Sequence, residues 1–269
     1  MPDLEREHNA IEDFCARITE LSGSSTKVIE WPDEENPGKG YCDALIVRNS
    51  KQIALDHRVV LSFNNHFKDN ALLNSIVVPL QTSLDGLYPG HRIRISIRVH
   101  GLPKGSRDKM REELKKGCIK ALEETPADSR IHKHFIAGVP CEVWVSKTPS
   151  ERPGCFVGRI LPKDQDAELN DEALRALQAK SKQFGRFKEN GFYTILLLDT
   201  DDFSSLNEHM IANAFSLAIG QCDITSIDEV YLFYRYPDNF VILPLKIGRK
   251  TYPNLNEFNQ YYEKQYSII

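Results

Sequence analysis

The densest group of chemically capable side chains is short. Asp43 stands between Cys42 and Ala44, and thirteen residues later comes Asp56-His57-Arg58. Both aspartates border apolar runs, Ala44-Leu45-Ile46-Val47 and Ile53-Ala54-Leu55. A carboxylate in such a run is costly to bury unless it meets a cation or a proton. Two aspartates at facing positions of a hairpin could hold one divalent ion. Mg²⁺ suits such a site, since one or two carboxylates, water and a substrate phosphate complete its shell. An ion so placed activates water and stabilises the charge of a phosphodiester under attack. A structural reading stands beside this one: Asp56 paired with Arg58 or His57 at a strand end.

The elements that must position these residues follow from periodicity. Residues 41–47 and 52–60 read as strands joined by a tight turn at Asn49-Ser50-Lys51, a hairpin. Alternation places Asp56 and Arg58 with Ala54 on one face, and His57 with Ile53, Leu55 and Val59 on the other. His57 is therefore expected as a supporting histidine and not a ligand. Upstream, Leu4, Glu7, Ile11, Phe14 and Ile18 form one helical stripe that ends at Ser22-Gly23-Ser24-Ser25. Downstream, residues 171–184 and 205–219 read as helices, and 193–198, 230–234 and 240–245 as strands. The run at 193–198 is continuously apolar, as burial on both faces requires. This order predicts an α/β fold with a mixed central sheet flanked by helices.

The middle of the chain reads differently. Residues 92–99 alternate strictly, with Arg92, Arg94 and Arg98 on the polar side. Residues 106–123 form a charged helix, 142–146 and 155–161 are short strands, and 76–80 is an apolar piece holding Pro79. Residues 66–165 are expected as an insertion or elaboration within a single domain spanning 1–269.

Charge is uneven. Residues 91–134 carry 12 basic and 6 acidic side chains, whereas residues 1–43 carry 4 basic and 11 acidic. One basic stretch on an acidic body fits contact with a phosphate backbone or, equally, a solvated helix face. The six cysteines are scattered without a CxxC pair, which suits a reducing, cytoplasmic setting. No apolar run approaches a membrane span, and no phosphate-binding loop, nucleophile elbow or zinc-spaced cluster occurs. Asp199, Asp201 and Asp202 have the look of a metal cluster but are read as caps of the following helix. The aromatic tail, with Phe258, Tyr261, Tyr262 and Tyr266, is read as a helix docking on the core.

Asp43 followed by Asp56-His57-Arg58 behind an N-terminal helix resembles the PD-(D/E)XK restriction-endonuclease-like superfamily. Cys42-Asp43-Ala44 and Ile53-Ala54-Leu55-Asp56-His57 are similar to an uncharacterised bacterial group of it with the pattern "CDA…IALEH". The likeness covers residues 1–63 and 171–245. It implies a restriction-endonuclease-like core in which Asp43 and Asp56 bind Mg²⁺ or Mn²⁺. Glu7 is similar to a helical glutamate often found near that metal; a carboxylate favouring its helix's dipole is the plainer reading. Arg58 departs from the family, standing where a lysine is expected. Arginine cannot serve as a base, but it can hold a phosphate. Some members supply the lysine from a neighbouring helix. Here Lys180 falls inside the stripe Ala173, Leu177, Phe184, and Lys182 points to solvent. Lys180 is thus the expected catalytic lysine, flanked by Gln183, with a snorkelling stem as the alternative.

The resemblance implies a metal-dependent nuclease acting on nucleic acid, DNA above RNA, in a bacterial defence context. Asp43, Asp56, Lys180 and Arg58 would be catalytic. Arg92, Arg94, Arg98 and Lys182 would hold the nucleic-acid backbone. Two further readings stay open. One is a catalytically inactive member acting as a binding or scaffolding subunit. The other is an unrelated α/β module that binds a protein partner, or a second copy, through helix 106–123.

Overall fold

The computed structural model describes residues 4–35, 40–61, 66–98, 106–160, 164–200, 208–236 and 239–252. In chain order the elements are α1 (Leu4–Ser22), β1 (Thr26–Glu30), α2 (Pro32–Glu35), β2 (Ala44–Arg48), β3 (Lys51–Val59) and α3 (His66–Leu84). There follow β4 (His91–Ile97), α4 (Arg107–Glu124), β5 (His132–Ile136), β6 (Cys141–Pro149), β7 (Gly154–Arg159) and α5 (Gln165–Glu189). The last are β8 (Tyr193–Thr200), α6 (Glu208–Ile219), β9 (Glu229–Tyr236), β10 (Asn239–Ile247) and β11 (Lys250–Thr251). The chain divides into two compact units, one of residues 1–62 with 166–269 and one of residues 63–165.

The first unit holds a seven-stranded mixed sheet in the order β1-β2-β3-β8-β9-β10-β11. Its centre, β3-β8-β9, is parallel, and the strands outside it are antiparallel. Both faces are covered. Ile195 and Leu197 pack with Ile11 and Phe14 of α1. Leu196 and Leu198 pack with Leu177 of α5 and Phe215 of α6. That division explains the unbroken apolar run in β8: every side chain there meets a helical layer. Helix α1 stops where Gly23 takes φ +66° and its N–H returns to the Thr19 carbonyl at 2.9 Å.

The hairpin β2–β3 turns through Asn49 and Ser50, at φ +52° and +62°, between the paired Arg48 and Lys51. Two consecutive left-handed residues make a type I′ turn, whose twist matches the strands it joins. Lys51 therefore belongs to β3 and not to the turn. The first strand begins at Ala44 and not at Tyr41. Asp43 lies one residue outside the ladder, level with Asp56, since Ala44 pairs Leu55. α5 extends well beyond the expected 171–184 at both ends.

The second unit has its own sheet, ordered β5-β6-β4-β7, and its own core. Two helices cover one face: Ile76, Leu80 and Leu84 of α3 and Leu114, Cys118 and Leu122 of α4 pack on Ile93, Ile95, Val143 and Val145. The apolar piece around Pro79 is thus the middle of α3, where the sequence reading has no helix. A proline removes one backbone hydrogen bond there, but Ile76, Leu80 and Leu84 share a buried stripe that outweighs it. α4 spends its apolar face on this core, and its charges pair along the helix, Arg111 with Asp108 at 2.7 Å and Lys116 with Glu113 at 3.2 Å. Among the described residues no helix is long and apolar enough to cross a membrane. The aromatic tail and Asp201 and Asp202 lie outside the described residues.

Candidate active site

The first unit gathers its buried charges where β3 and β8 end. The Asp56 side chain is wholly buried, on the face covered by α5. Lys180 reaches it from that helix, Nζ donating to Oδ1 at 2.7 Å. Lys180 also donates to Gln183 Oε1 at 3.2 Å, and Gln183 Nε2 donates to the Tyr41 carbonyl at 2.7 Å. α5 is thereby tied to the segment that carries Asp43. Asp43 Oδ2 accepts the His57 backbone N–H at 2.6 Å, so this carboxylate closes the open end of the hairpin ladder. The sequence reading brings Asp43, Asp56, Lys180 and Gln183 to one place, and the structure has them together.

Two neighbouring carboxyl groups, Asp56 fully buried and Asp43 partly so, do not ionise freely. Burial, then the charge of Asp56, then that of Glu7 push the Asp43 pKa well above the ordinary aspartate range; Lys180 and the His57 N–H pull the other way. Asp56 is also raised, by burial first, against the pull of Lys180. Asp56 Oδ2 is buried and has no donor unless Asp43 carries a proton toward it. One cation cannot satisfy both groups, so the pair holds a proton or calls for a second positive charge. Cys42, next in the chain, is no nucleophile: burial and the two carboxylates push its thiol up to about 12.

On the opposite face, beneath α1, His57 Nε2 lies 3.2 Å from Asp199 Oδ2, and Nδ1 lies 3.9 Å from Glu7 Oε2. Burial disfavours the imidazolium, but Asp199 and Glu7 outweigh it and raise the histidine pKa. Arg6 Nε donates to the same Asp199 oxygen at 3.0 Å. Asp199 is therefore a buried strand residue in contact with Arg6 and His57, not a helix cap. His57 has the supporting place expected of it, on the reverse of the strand from Asp56. Glu7 is half-buried beside His57 and within the field of both aspartates.

The remaining basic candidates diverge. Arg58 shares Asp56's face but is held by Glu172 of α5, which also pairs with Arg175 at 3.4 Å. Neither Glu172 nor the Arg6–Asp199 pair figures in the sequence reading, because no local pattern singles out these partners. Lys182 is exposed on α5. Arg92 and Arg94 stand exposed on β4 of the second unit, whereas Arg98 is bound by Glu142 through two hydrogen bonds of 3.0 and 3.2 Å.

Asp43 and Asp56 fit a hard divalent cation: two carboxylates, one with an unpartnered buried oxygen, in surroundings that already favour added positive charge. Among the described residues no three His, Cys, Asp or Glu side chains converge as a metal cage. Comparisons with family models, with curated proteins and with solved structures returned no match, so the geometry of this chain alone carries its reading.

Proposed function

We propose that the chain is a metal-dependent nuclease with a restriction-endonuclease-like core, cleaving phosphodiester bonds at the carboxyl end of β3. The observation that carries this is the Lys180–Asp56 contact of 2.7 Å beside Asp43, with Asp56 Oδ2 unpartnered. Catalytic crevices in open α/β sheets form where parallel strands end, and β3 and β8 end here. Asp43 and Asp56 would hold Mg²⁺ or Mn²⁺, which when bound polarises a phosphoryl oxygen and lowers the pKa of water.

The chain's own groups have distinct work. Lys180 spends two donors on Asp56 and Gln183, which leaves its ammonium a third N–H for an anionic oxygen. Gln183 fixes its direction. Asp43 keeps the end of β3 in register through the His57 N–H. His57, Asp199 and Arg6 anchor the reverse side of that strand end to α1 and β8. Arg58, committed to Glu172, positions α5 and contacts phosphate only if that pair opens.

The test is cleavage of plasmid, single-stranded DNA and RNA with Mg²⁺, Mn²⁺ or EDTA. Asp43→Asn and Asp56→Asn should each lower the rate on the order of 10²- to 10³-fold, as loss of a group aimed at transition-state charge does. They should also abolish the rise in melting temperature that Mn²⁺ gives the wild type. Cleavage that survives both substitutions overturns the assignment. A second reading, an inactive member that binds or scaffolds, is favoured by one observation: Arg58 and Lys180 are both already paired with carboxylates. It predicts no cleavage of any substrate and no response to metal.

A further inference from the structure

Among the described residues of the second unit, helices cover one face of its sheet and none covers the other. The buried side chains of β4, β6 and β7 all point to α3 and α4. Their alternates, Arg92, Arg94, Trp144 and Phe156, with Lys133 and Phe135 of β5, stand on the other face. Two of these rings are far more exposed than aromatic side chains usually are: Phe135 is 70% and Phe156 57% exposed.

Pairing in the sheet fixes their arrangement. Phe156 is level with Arg94, and Arg94 with Ser146. Trp144, two residues from Ser146, is level with Lys133, and Glu142 with Phe135. At ordinary sheet spacings the Cα atoms of Phe156 and Trp144 are about 12 Å apart and those of Trp144 and Phe135 about 8 Å. The three rings form one diagonal across four strands. Arg92, Arg94 and Lys133 all lie on the same side of it. Glu142, which holds Arg98, lies on the other side.

Local contacts keep the rings presented. Lys133 Nζ sits 5.1 Å from the centre of the Trp144 ring and Arg94 Cζ 6.0 Å from that of Phe156. Trp144 Nε1 donates to Glu142, which fixes the indole's direction. Phe156 is flanked on its face by Gly154 and Gly158, and its ring leans over Gly158, where an added Cβ would come within 3.1 Å of it. A depression of about 390 Å³ opens between Arg92, Arg94, Arg152 and Phe156.

A row of separated aromatic faces beside a row of cations matches one chemistry: unpaired bases that stack on rings while the phosphates follow the positive side. A duplex keeps its bases stacked inside and would leave the rings unused. We propose that this face is a docking surface for single-stranded nucleic acid. The choice of nucleic acid rests on the nuclease reading above; the strandedness and the residues come from this face alone.

The experiment measures binding of the full chain to a fluorescent oligothymidylate and to a duplex of equal length. It is run in EDTA, so that cleavage plays no part. The single strand should bind more tightly than the duplex. Trp144→Ala and Phe156→Ala should each weaken it roughly tenfold to a hundredfold, the range for one lost base stack. Arg94→Gln should weaken it and lower the salt slope by about one. In Trp31→Phe protein, where Trp144 is the sole tryptophan, added oligonucleotide should quench the emission. Circular dichroism confirms that each variant folds. Undiminished binding by both aromatic variants, equal or stronger duplex binding, or self-association of the chain that these substitutions abolish without any oligonucleotide affinity would overturn the proposal. Binding as described by a chain that cleaves nothing sinks only the nuclease reading, and cleavage without loss of binding in the aromatic variants sinks only this one.

Discussion

The two sheets solve the same problem in opposite ways. The seven-stranded sheet is covered on both faces, by α1 on one side and α5 and α6 on the other. Its polar side chains have no open face to occupy, so they gather where strands end, and there they are dry. Among the described residues, helices cover the four-stranded sheet on one face. Its polar and aromatic side chains spread over the other, from half-buried Trp144 to exposed Phe135 and Phe156. A charge in the first setting perturbs its neighbours strongly, as Asp43, Asp56 and His57 do. In the second setting charges are screened and side chains are free to meet a partner. Chemistry that needs shifted pKa values belongs to the first sheet, and adaptable binding to the second.

The sharpest way to break this contrast is to remove the cation from the covered sheet. Lys180→Met leaves Asp56 buried without its partner. A buried pair broken on one side costs about 3–5 kcal/mol. Protonation trims the upper part of that range, because burial already raises the Asp56 pKa and losing Lys180 raises it further. A loss of about 3 kcal/mol in urea unfolding is expected at pH 7, shrinking toward pH 4. Lys180→Arg should recover part of the stability, since the charge returns with a different shape. A loss below about 0.5 kcal/mol would place Lys180 among ordinary surface residues.

A smaller effect of opposite sign is expected from Asp43. Its pKa is raised in the folded protein, so folding favours the protonated carboxyl. Stability from this group falls as pH rises above the unfolded value of about 3.9 and levels off above the raised folded value. The groups that face it are Asp56, Glu7, Lys180 and the His57 N–H. Asp43→Asn keeps an acceptor for that N–H and removes the repulsion. It should match the wild type near pH 3 and gain about 1 kcal/mol by pH 7, the scale on which active sites trade stability for function. His57 also lowers stability on alkalisation, in a window that starts higher: its raised pKa contributes fully below the unfolded value of about 6.5 and is lost as pH passes the folded one. That later decline should persist in Asp43→Asn. Adding Mn²⁺ should restore high-pH stability to the wild type and not to the variant. Parallel unfolding profiles for both proteins across pH 3–7 would show that folding does not shift the Asp43 pKa.

How much of this could be read from the residues depends on whether a local pattern marks them. The hairpin was legible as a hairpin, but with Lys51 counted in the turn its register was one residue off; only with Asn49-Ser50 alone as the turn do Asp43 and Asp56 come level. Lys180 was legible because a cation inside the stripe Ala173, Leu177, Phe184 points inward and needs an acid. Arg58's partner Glu172 and Asp199's partners Arg6 and His57 were not legible: Lys180 and Asp56 also meet from far apart, but each interrupts an apolar pattern and so demands a partner, whereas no pattern singles out Glu172 or Arg6. α3 was hidden by Pro79, whose local penalty is outweighed only once the sheet it packs on exists. The aromatic diagonal was hidden for another reason. Alternation tells which residues share a face, but not which face a helix will cover, so Trp144 and Phe156 read as ordinary strand residues.

The smallest expected effect is also the one that tests the open face as a surface rather than a core. Phe156 makes its contacts with Arg94 and the backbone of Gly158, and most of its ring is already in water. Truncating it removes little buried area, so Phe156→Ala should change the unfolding free energy by no more than about 0.5 kcal/mol, as surface substitutions usually do. Arg94→Gln should do the same, losing one exposed cation–π contact worth about 0.5 kcal/mol. Leu114→Ala, one layer beneath the same sheet, should cost about 2–5 kcal/mol, because it opens a cavity in the core. Urea titrations of the three variants compare the two faces within one unit. Were Phe156→Ala to cost as much as Leu114→Ala, the open face would be packed against something in solution, and the rings would serve folding or self-association instead of waiting for a ligand.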